Sequence, residues 1–375
     1  MPGPTPSEPT SSDAVPSGPG TVLVTGGGTA GHVLPALAIA TELHDRGHAI
    51  HLVGAERGLE TRLFPDSGFE STLLPGRGIA RSLAPRRILD NIGAVVGLVR
   101  AFLPAIGLVR RHRPVAVVAV GGYASAACGL AAVLWRVPLI VHEQNAAPGA
   151  ANRLLSRFAA ACAVSFPETD LRNAVVVGNP VRAELFGRSH EPRADGRRQL
   201  LVFGGSLGAL SINRATIDAA DRWRDRDDLA VHHVVGRRDW PDLDLPTDVG
   251  DLVYEAVEYE DDMPGQFARA DLVVCRAGSG TCFELAATGL PAVIVPSLVT
   301  TGGQQVANAE RVASVGGAVV VRDDELDGSR LADEVDALLA DPDRLRTMSE
   351  QISTLAAPGA AAGVADLVER HGRRR

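Results

Sequence analysis

Two glycine-rich stretches in this 375-residue sequence each follow a short apolar strand pattern and precede a helical pattern. The first runs from Gly26 to His32 (GGGTAGH), and the second runs from Gly204 to Gly208 (GGSLG). Glycines at such a junction leave backbone N–H groups uncovered, and the start of the following helix adds partial positive charge. Both features favour the phosphate groups of a ligand. The two loops together predict two similar α/β halves that face each other across a cleft.

The histidine that ends the first loop has two interpretations. His32 stands at the start of a helical pattern, where the positive helix end opposes protonation of the imidazole. A neutral imidazole accepts a proton near neutral pH, which is the task of a general base. The alternative is a histidine that caps the helix or contacts a phosphate oxygen.

The first loop also matches the GxGxxG dinucleotide fingerprint, through Gly26, Gly28 and Gly31. That fingerprint expects an acidic residue at the end of the second strand, where it holds the ribose hydroxyls. Here the second strand pattern ends in the sequence VGA at 53–55, and Glu56 comes too late. A nicotinamide-dependent dehydrogenase is therefore disfavoured.

Two further strand ends in the first half carry candidate binding residues. Gly121 and Gly122 follow an apolar strand pattern, and they either donate N–H groups to a diphosphate or form a tight turn. The segment from His142 to Asn145 places four polar residues after another strand pattern, in a site or in a capped loop. Because ligands of parallel α/β sheets bind at the carboxyl ends of strands, we favour a site.

The second half carries a matching set of candidates. The sequence GSGT at 278–281 opens a helical pattern that suits a phosphate, and Glu284 in its first turns either accepts from ribose hydroxyls or stabilises the helix start. The amides of Gln304, Gln305 and Asn308 both donate and accept, as recognition of sugar hydroxyls requires. Arg182, between the halves, is placed to neutralise a pyrophosphate. No acidic pair stands in a convincing metal-binding position, so we expect neither a metal nor another cofactor.

Composition and pattern indicate the fold class and limit the function. Strand-like and helical patterns alternate along the whole chain, which predicts an α/β protein with parallel sheets. The net charge of −8 argues against nucleic-acid binding, which calls for a basic surface. The four cysteines are scattered without metal-binding spacing, so they are expected to be reduced thiols of a cytoplasmic protein.

Two segments bear on targeting. Residues 1–20 are rich in proline, serine, threonine and glycine, and we expect a disordered tail instead of a signal peptide. Residues 92–109 are apolar but are interrupted by Arg100, Pro104 and three glycines. A spanning helix needs about 20 uninterrupted apolar residues, so a helix in a core or on a surface is favoured.

Six motifs, in order along the chain, resemble those of the MurG family of N-acetylglucosaminyltransferases, and the resemblance covers the chain from Thr21 onward. The motifs are GGGTAGH at 26–32, GGY at 121–123, HEQN at 142–145, GNPVR at 178–182, GGSLGA at 204–209, and CRAG at 275–278 together with Glu284. The resemblance implies a GT-B fold, with two Rossmann-like, doubly wound parallel-sheet domains facing a cleft. One departure is Leu207, where the family often has glutamine.

The reaction that the resemblance implies is an inverting transfer that needs no metal. N-acetylglucosamine (GlcNAc) would move from UDP-GlcNAc to the C4 hydroxyl of the MurNAc sugar of lipid I, the undecaprenyl-diphosphate-MurNAc-pentapeptide. The products would be lipid II and UDP. The resemblance also implies an acceptor- and membrane-binding domain at 21–181, joined by a C-terminal helix within 358–375, and a UDP-GlcNAc-binding domain at 182–357.

The resemblance assigns three sets of residues to the reaction. His32 is implied as the general base. The implied donor-binding residues are Thr29, Gly31, Asn145, Arg182, Ser206, Gly278, Thr281, Glu284, Gln304 and Gln305. The implied contacts of the acceptor diphosphate are Gly27, Gly28, Gly121, Gly122 and Tyr123.

A basic and apolar segment of the first half is implied as a membrane contact. Its residues are Arg77, Arg81, Leu83, Arg86, Arg87 and Ile88. Basic side chains beside an apolar helix suit an anionic leaflet, which would place a peripheral protein on the cytoplasmic face of the cell membrane. The alternative is an ordinary solvated helix start.

Two other classes of protein stay open at this point. One comprises enzymes with the same architecture, such as a UDP-GlcNAc 2-epimerase-like isomerase or another GT-B glycolipid transferase. The other is a non-catalytic subunit that recruits a partner transferase to a membrane.

Overall fold

The computed structural model describes residues 19–75, 100–299 and 303–373. The basic and apolar segment predicted to contact a membrane, from Arg77 to Ile88, lies outside these residues. Among the helices that the structure does describe, none combines the length and the hydropathy needed to cross a bilayer.

Two parallel sheets organise the described chain. The first has seven strands, β1 (Thr21–Gly26), β2 (Ala49–Ala55), β3 (Glu70–Leu74), β4 (Ala116–Gly121), β5 (Leu139–Glu143), β6 (Ala161–Val164) and β7 (Ala174–Val176). The second has six, β8 (Arg198–Phe203), β9 (Leu229–Val234), β10 (Val253–Val257), β11 (Leu272–Cys275), β12 (Ala292–Ile294) and β13 (Ala318–Val320).

Helices connect the strands and cover the sheets. Those of the first half are α1 (Ala30–Asp45), α2 (Glu60–Asp66), α3 (described over 100–112), α4 (Gly122–Leu134) and α5 (Ala150–Leu155). Those that follow are α6 (Leu210–Arg222), α7 (Met263–Arg269), α8 (Ser279–Thr288), α9 (Gln304–Ser314), α10 (Gly328–Leu339), α11 (Pro342–Ser353) and α12 (Ala360–His371). Short 3-10 turns lie at Ala183–Leu185 and Trp240–Asp242.

Central strands are continuous apolar runs because helices cover both faces of each sheet. In β1, Val22 and Val24 are buried on the same face as Ile39 of α1. Leu23 is buried on the opposite face with Ala127 of α4. The second sheet likewise has one apolar cluster on each face. The predicted class, two doubly wound parallel-sheet domains, is confirmed.

The last helix packs on the first domain although it follows the second along the chain. Val364 and Val368 of α12 are fully buried in the core that contains α1. At the edge of this contact, Arg46 forms ion pairs with Asp366 at 2.6 Å and Glu369 at 3.3 Å. The chain therefore crosses between the domains twice.

Both glycine-rich loops lie where the order of the strands reverses. The first sheet runs β3-β2-β1-β4-β5-β6-β7, and the second runs β10-β9-β8-β11-β12-β13. Helices after β1 and β4, or after β8 and β11, leave in opposite directions and open a crevice at the carboxyl ends of the strands. The loop from Gly26 to Gly31 follows β1, and the loop from Gly204 to Gly208 follows β8.

Candidate active site

A cleft of about 1490 Å³ lies between the two domains, at the carboxyl ends of both sheets. His32 and all ten predicted donor-binding residues line it. Those ten are Thr29, Gly31, Asn145, Arg182, Ser206, Gly278, Thr281, Glu284, Gln304 and Gln305. The fold thus gathers residues from distant parts of the chain at one site, and the role of each stays a prediction.

Three helices begin at this cleft with uncovered N-termini. They are α1, α6 and α8. No side chain of their N-cap residues Thr29, Ala209 and Gly278 accepts a hydrogen bond from an N–H of the first turn. None of the three first turns carries an acidic side chain. A Cβ atom on Gly31 would lie 3.6 Å from Ser279 Oγ, so the starts of α1 and α8 meet across the cleft. This arrangement favours anions.

An ion pair joins the hinge between the domains to α8. Arg182 Nη2 donates to Glu284 Oε1 at 3.3 Å. The Glu284 side chain is only 15% exposed, and burial raises the pKa of its carboxyl while Arg182 opposes that rise. Within the described residues, the buried Nε of Arg182 has no hydrogen-bond partner. The two side chains, assigned to different parts of a nucleotide from the sequence, are thus coupled to each other.

His32 is oriented by its own loop. Its Nδ1 lies 3.0 Å from the carbonyl oxygen of Gly27 and 3.5 Å from Thr29 Oγ1. A carbonyl oxygen only accepts, so Nδ1 carries a proton, and in the neutral ring Nε2 is then the nitrogen with the lone pair. Among the described residues Nε2 has no hydrogen-bond partner. The ring lies against Gly121, where a Cβ atom would come within 2.7 Å of Nε2.

The predicted acceptor-diphosphate residues lie beside this cleft and do not line it. The N–H of Gly28 donates to both carboxylate oxygens of Glu60, at 3.0 and 2.9 Å, and the N–H of Gly121 donates to Ser125 Oγ at 3.0 Å. These two N–H groups are thus engaged inside the protein. The role of Gly27, Gly28, Gly121, Gly122 and Tyr123 toward a diphosphate stays a prediction.

The polar segment after β5 is mostly an internal network. Glu143 is buried and accepts from the backbone N–H groups of Asn145 and Gly149, at 3.0 and 2.9 Å. Gln144 Nε2 donates to His142 Nδ1 at 2.9 Å, and burial lowers the pKa of His142 to about 4. Three of the four residues therefore build the loop, and Asn145 alone among them lines the cleft.

Asn308 bridges the domains and does not lie free to contact a sugar. Its side chain is fully buried. Its Nδ2 donates to Asn145 Oδ1 at 3.1 Å, and its Oδ1 accepts from the N–H of Ala146 at 2.9 Å. The amide of Asn308 is thus engaged inside the protein, and its role toward a sugar stays a prediction. Nearby, Gln305 Oε1 accepts from the N–H of Ser297 at 2.8 Å.

Two features of the site have no counterpart in the expectations from sequence. Arg276 lines the cleft and is held by Asp323 at 2.6 Å and by Ser211 Oγ at 2.9 Å. Its motif is visible in the sequence, but its partners come from α6 and from the loop after β13. The second feature is Glu60, which no local motif marks.

The described residues contain no group of three His, Cys, Asp or Glu side chains that could hold a metal ion.

Known families match both halves of the chain. The glycosyltransferase family 28 N-terminal domain matches residues 22–164, and the family 28 C-terminal domain matches residues 199–369. A protein of Alkalilimnicola ehrlichii is 38% identical over 354 residues, which are 92% of this chain and 97% of the relative. It is named UDP-N-acetylglucosamine–N-acetylmuramyl-(pentapeptide) pyrophosphoryl-undecaprenol N-acetylglucosamine transferase.

Solved structures agree with this relationship. The crystal structure of Acinetobacter baumannii MurG superimposes with a TM-score of 0.74 at 28% identity, covering 93% of this chain and 99% of that one. A putative UDP-N-acetylglucosamine 2-epimerase from Listeria monocytogenes gives a TM-score of 0.65 at 13% identity, covering 92% of this chain and 94% of that one. At that identity the likeness concerns the fold alone. The GT-B fold expected from the motifs is confirmed.

Proposed function

The chain belongs to the MurG family of glycosyltransferases, and on this premise we propose that it transfers GlcNAc from UDP-GlcNAc to lipid I. The products are lipid II and UDP. The observation that carries the proposal is the single cleft that holds all ten predicted donor-binding residues together with His32. The inverting stereochemistry and the role of each residue form part of the proposal.

We assign the donor to the second domain. The exposed loop from Gly204 to Gly208 and the uncovered starts of α6 and α8 present N–H groups where the UDP phosphates would lie. Arg182 lines the same cleft and adds a cation, so the site supplies positive charge from the protein itself. We assign Glu284 to the ribose, and Gln304 and Gln305 to the sugar.

The reaction then follows from the orientation of His32. Its Nε2 lone pair accepts the proton of the C4 hydroxyl as the oxygen attacks the anomeric carbon of the donor. The bond from that carbon to the UDP oxygen breaks, and its electron pair stays on the diphosphate. The N–H groups and Arg182 stabilise the charge that develops there. One displacement at one carbon inverts its configuration.

The acceptor and the membrane are assigned to the first domain. The lipid and its diphosphate would approach the uncapped start of α1 beside His32, because the N–H groups of Gly28 and Gly121 are already engaged inside the protein. We propose that the segment from Arg77 to Ile88 contacts the inner leaflet of the cell membrane, because four arginines there alternate with apolar side chains. Each arginine near an anionic surface contributes about 1 kcal/mol to binding.

Co-sedimentation with lipid vesicles tests this membrane contact. The protein should sediment with vesicles that contain anionic lipid and stay free of vesicles that carry no net charge. Replacing Arg86 and Arg87 with Gln should weaken sedimentation at least tenfold without changing turnover of a short-chain acceptor. Equal sedimentation by the variant would refute the contact.

One assay tests the transfer itself. The protein is incubated with UDP-GlcNAc and a short-chain lipid I analogue, and both UDP and the disaccharide product are measured over time. UDP release that requires the acceptor supports transfer. UDP-ManNAc formed without acceptor would identify an epimerase, and donor binding without turnover would identify a recruiting subunit.

A further inference from the structure

Glu60, the first residue of α2, is a fully buried acidic side chain beside the first glycine-rich loop. Its Oε1 accepts from the N–H of Gly28 at 3.0 Å and from the N–H of Ala55 at 3.2 Å. Its Oε2 accepts from the same N–H of Gly28 at 2.9 Å. Both oxygens act as acceptors, which is the pattern of an ionised carboxylate. Within the described residues, no basic side chain forms an ion pair with it.

Three glycines make room for this carboxylate. A Cβ atom on Gly27, Gly54 or Gly58 would lie closer than 3.0 Å to Glu60 atoms, a separation that real Cβ atoms essentially never show. These glycines come from the loop after β1, from β2 and from the segment before α2. The enclosure holds the side chain in one place, at the point where such a loop would otherwise bind a phosphate. Glu60 is thus an anion supplied by the protein.

The same peptide group that meets Glu60 also meets His32. The N–H of Gly28 and the carbonyl of Gly27 are the two ends of one planar peptide unit. Glu60 accepts at the N–H end, and His32 Nδ1 donates at the carbonyl end over 3.0 Å. A charge at one end of such a chain strengthens the hydrogen bond at the other end.

We propose that Glu60 is a positioning residue for His32, acting through the peptide between Gly27 and Gly28. It fixes the plane of that peptide and makes the Gly27 carbonyl a stronger acceptor for the Nδ1 proton. Nε2 therefore keeps its lone pair toward the substrate, and the positive charge on the ring during proton transfer is stabilised. In a Ser-His-Asp triad a carboxylate contacts the histidine directly. Here one peptide unit lies between them. The inference rests on the proposed function of His32 as the base.

The decisive variant is Glu60→Gln, because it keeps the size of the side chain and removes its charge. We expect kcat to fall ten- to a hundredfold, with the KM for UDP-GlcNAc within twofold of the parent value. In the His32→Ala background, adding Glu60→Gln should lower kcat by less than a further twofold. An equal fold-loss in both backgrounds, or a loss confined to KM, would overturn the proposal. Glu70→Gln, on an exposed side chain of β3, is the matched control and should leave kcat unchanged.

A second readout does not depend on activity. In protein labelled with ¹⁵N-histidine, the His32 signals are assigned by their loss in His32→Ala. They should show a proton fixed on Nδ1 in the parent and a mixture of tautomers in Glu60→Gln. Unchanged signals would overturn the proposal even if the transfer assay fails. A parent without acceptor-dependent UDP release, but with this tautomer response, would instead refute the proposed function alone.

A second variant guards against misfolding. Glu60→Asp keeps the charge, sets the carboxylate back by about 1.5 Å, one C–C bond, and fits the same enclosure. We expect the kcat of Glu60→Asp to lie between that of the parent and that of Glu60→Gln, with unchanged affinity for UDP. Full activity of Glu60→Asp would show that contact with the Gly28 N–H is not needed, which contradicts the proposed route.

Discussion

The two glycine-rich loops occupy equivalent places in the two domains, yet their surroundings differ in charge. In the first loop, the buried carboxylate of Glu60 takes the N–H of Gly28. In the second loop, the nearest carboxylate is that of Asp239, which lies behind Gly208 and is held by Asn213 at 3.0 Å and by Arg238 at 2.7 Å. One loop contains its own anion; in the other, the N–H of Gly208 donates to the carbonyl of Gly205 at 3.0 Å, and no carboxylate of the described residues accepts from the N–H groups of the loop.

This difference teaches how one loop shape serves two tasks. A loop filled by an internal carboxylate is rigid and negatively charged, which suits it to orient a base such as His32. In the second loop, Arg238 neutralises the carboxylate of Asp239, so the helix start keeps its positive potential, which suits phosphates. The comparison predicts that damage to the first loop lowers the rate of the chemical step, whereas damage to the second lowers the affinity for nucleotide.

The largest expected effect is that of His32→Gln. Removing a general base costs about 10²- to 10⁴-fold in kcat. The UDP affinity, which belongs to the second domain, should stay within twofold. Turnover with saturating acceptor and calorimetric titration with UDP measure the two quantities. Near-normal turnover would remove His32 as the base, and a parallel loss of UDP affinity would break the division of tasks between the loops.

The next effect concerns stability in acid, where the two domains should behave alike. Burial lowers the pKa of His142 in the first domain and of His233 in the second to about 4. The unfolded rings have a pKa near 6.5, so below that pH the unfolded chain binds protons that the folded protein does not. Stability should therefore fall as the pH drops from 6.5 toward 4, by about 3 kcal/mol for each ring.

Urea unfolding at pH 7.5 and pH 4.5 measures this loss of stability. His233→Asn should remove the contribution of the second domain to the difference in unfolding free energy between the two pH values. His142→Asn should remove the contribution of the first domain. His44→Asn, on an exposed side chain of α1, is the control and should leave the difference unchanged. A difference that neither buried substitution reduces would assign the acid sensitivity to other groups.

Much of the fold could be predicted from the sequence because its signals are local. The buried central strands β1, β4, β8 and β11 are continuous apolar runs, and the glycines that follow them mark the turns into helices. Strand β3 was not predicted, because it lies at a sheet edge and mixes polar with apolar residues over Glu70–Leu74. Its single fully buried side chain, Leu74, is too weak a signal.

The site could be predicted only as far as its motifs are contiguous. The family motifs name His32 and the ten candidate donor-binding residues, and the fold brings these residues together in one cleft, while their roles stay predictions. Glu60 is 32 positions from Gly28, and the glycines around it come from three separate segments, so no spacing rule marks their contact. The pairing of Arg182 with Glu284, 102 positions apart, likewise exists only after folding.

The ion pair between Arg182 and Glu284 provides the third prediction, which concerns the binding of the nucleotide donor. Arg182→Ala removes a cation from the cleft and leaves the mostly buried Glu284 without its partner. We expect kcat/KM for UDP-GlcNAc to fall about a hundredfold, the equivalent of about 3 kcal/mol for a charged contact. Steady-state kinetics with varied donor measures it.

A surface arginine gives the control for this substitution. Arg222 pairs with Asp333 at 3.0 Å, and both side chains are about half exposed or more. Exposed ion pairs contribute about 0–1 kcal/mol, so Arg222→Ala should leave donor kinetics unchanged. If Arg182→Ala lowered only the free energy of unfolding and left UDP affinity intact, the arginine would serve the hinge and not the nucleotide.

The smallest expected effects make the most direct comparison, because they use the same substitution in both loops. Gly28 has φ +93° and Gly205 has φ +91°, and a Cβ atom on either would meet nothing within 4 Å. Alanine at each position therefore costs the same backbone strain, about 1–2 kcal/mol, without a clash. The two variants differ only in which loop they disturb.

Gly28→Ala should shift the peptide that joins Glu60 to His32, lowering kcat about tenfold, or about 1.4 kcal/mol, with unchanged UDP affinity. Gly205→Ala should weaken UDP binding by about the same factor with a smaller change in kcat. Gly68→Ala and Gly196→Ala supply the controls, since they lie at φ +78° and +76° with equally open space, away from the cleft. If Gly28→Ala weakened UDP binding as much as Gly205→Ala does, the loops would share one ligand, because strain alone is matched between them.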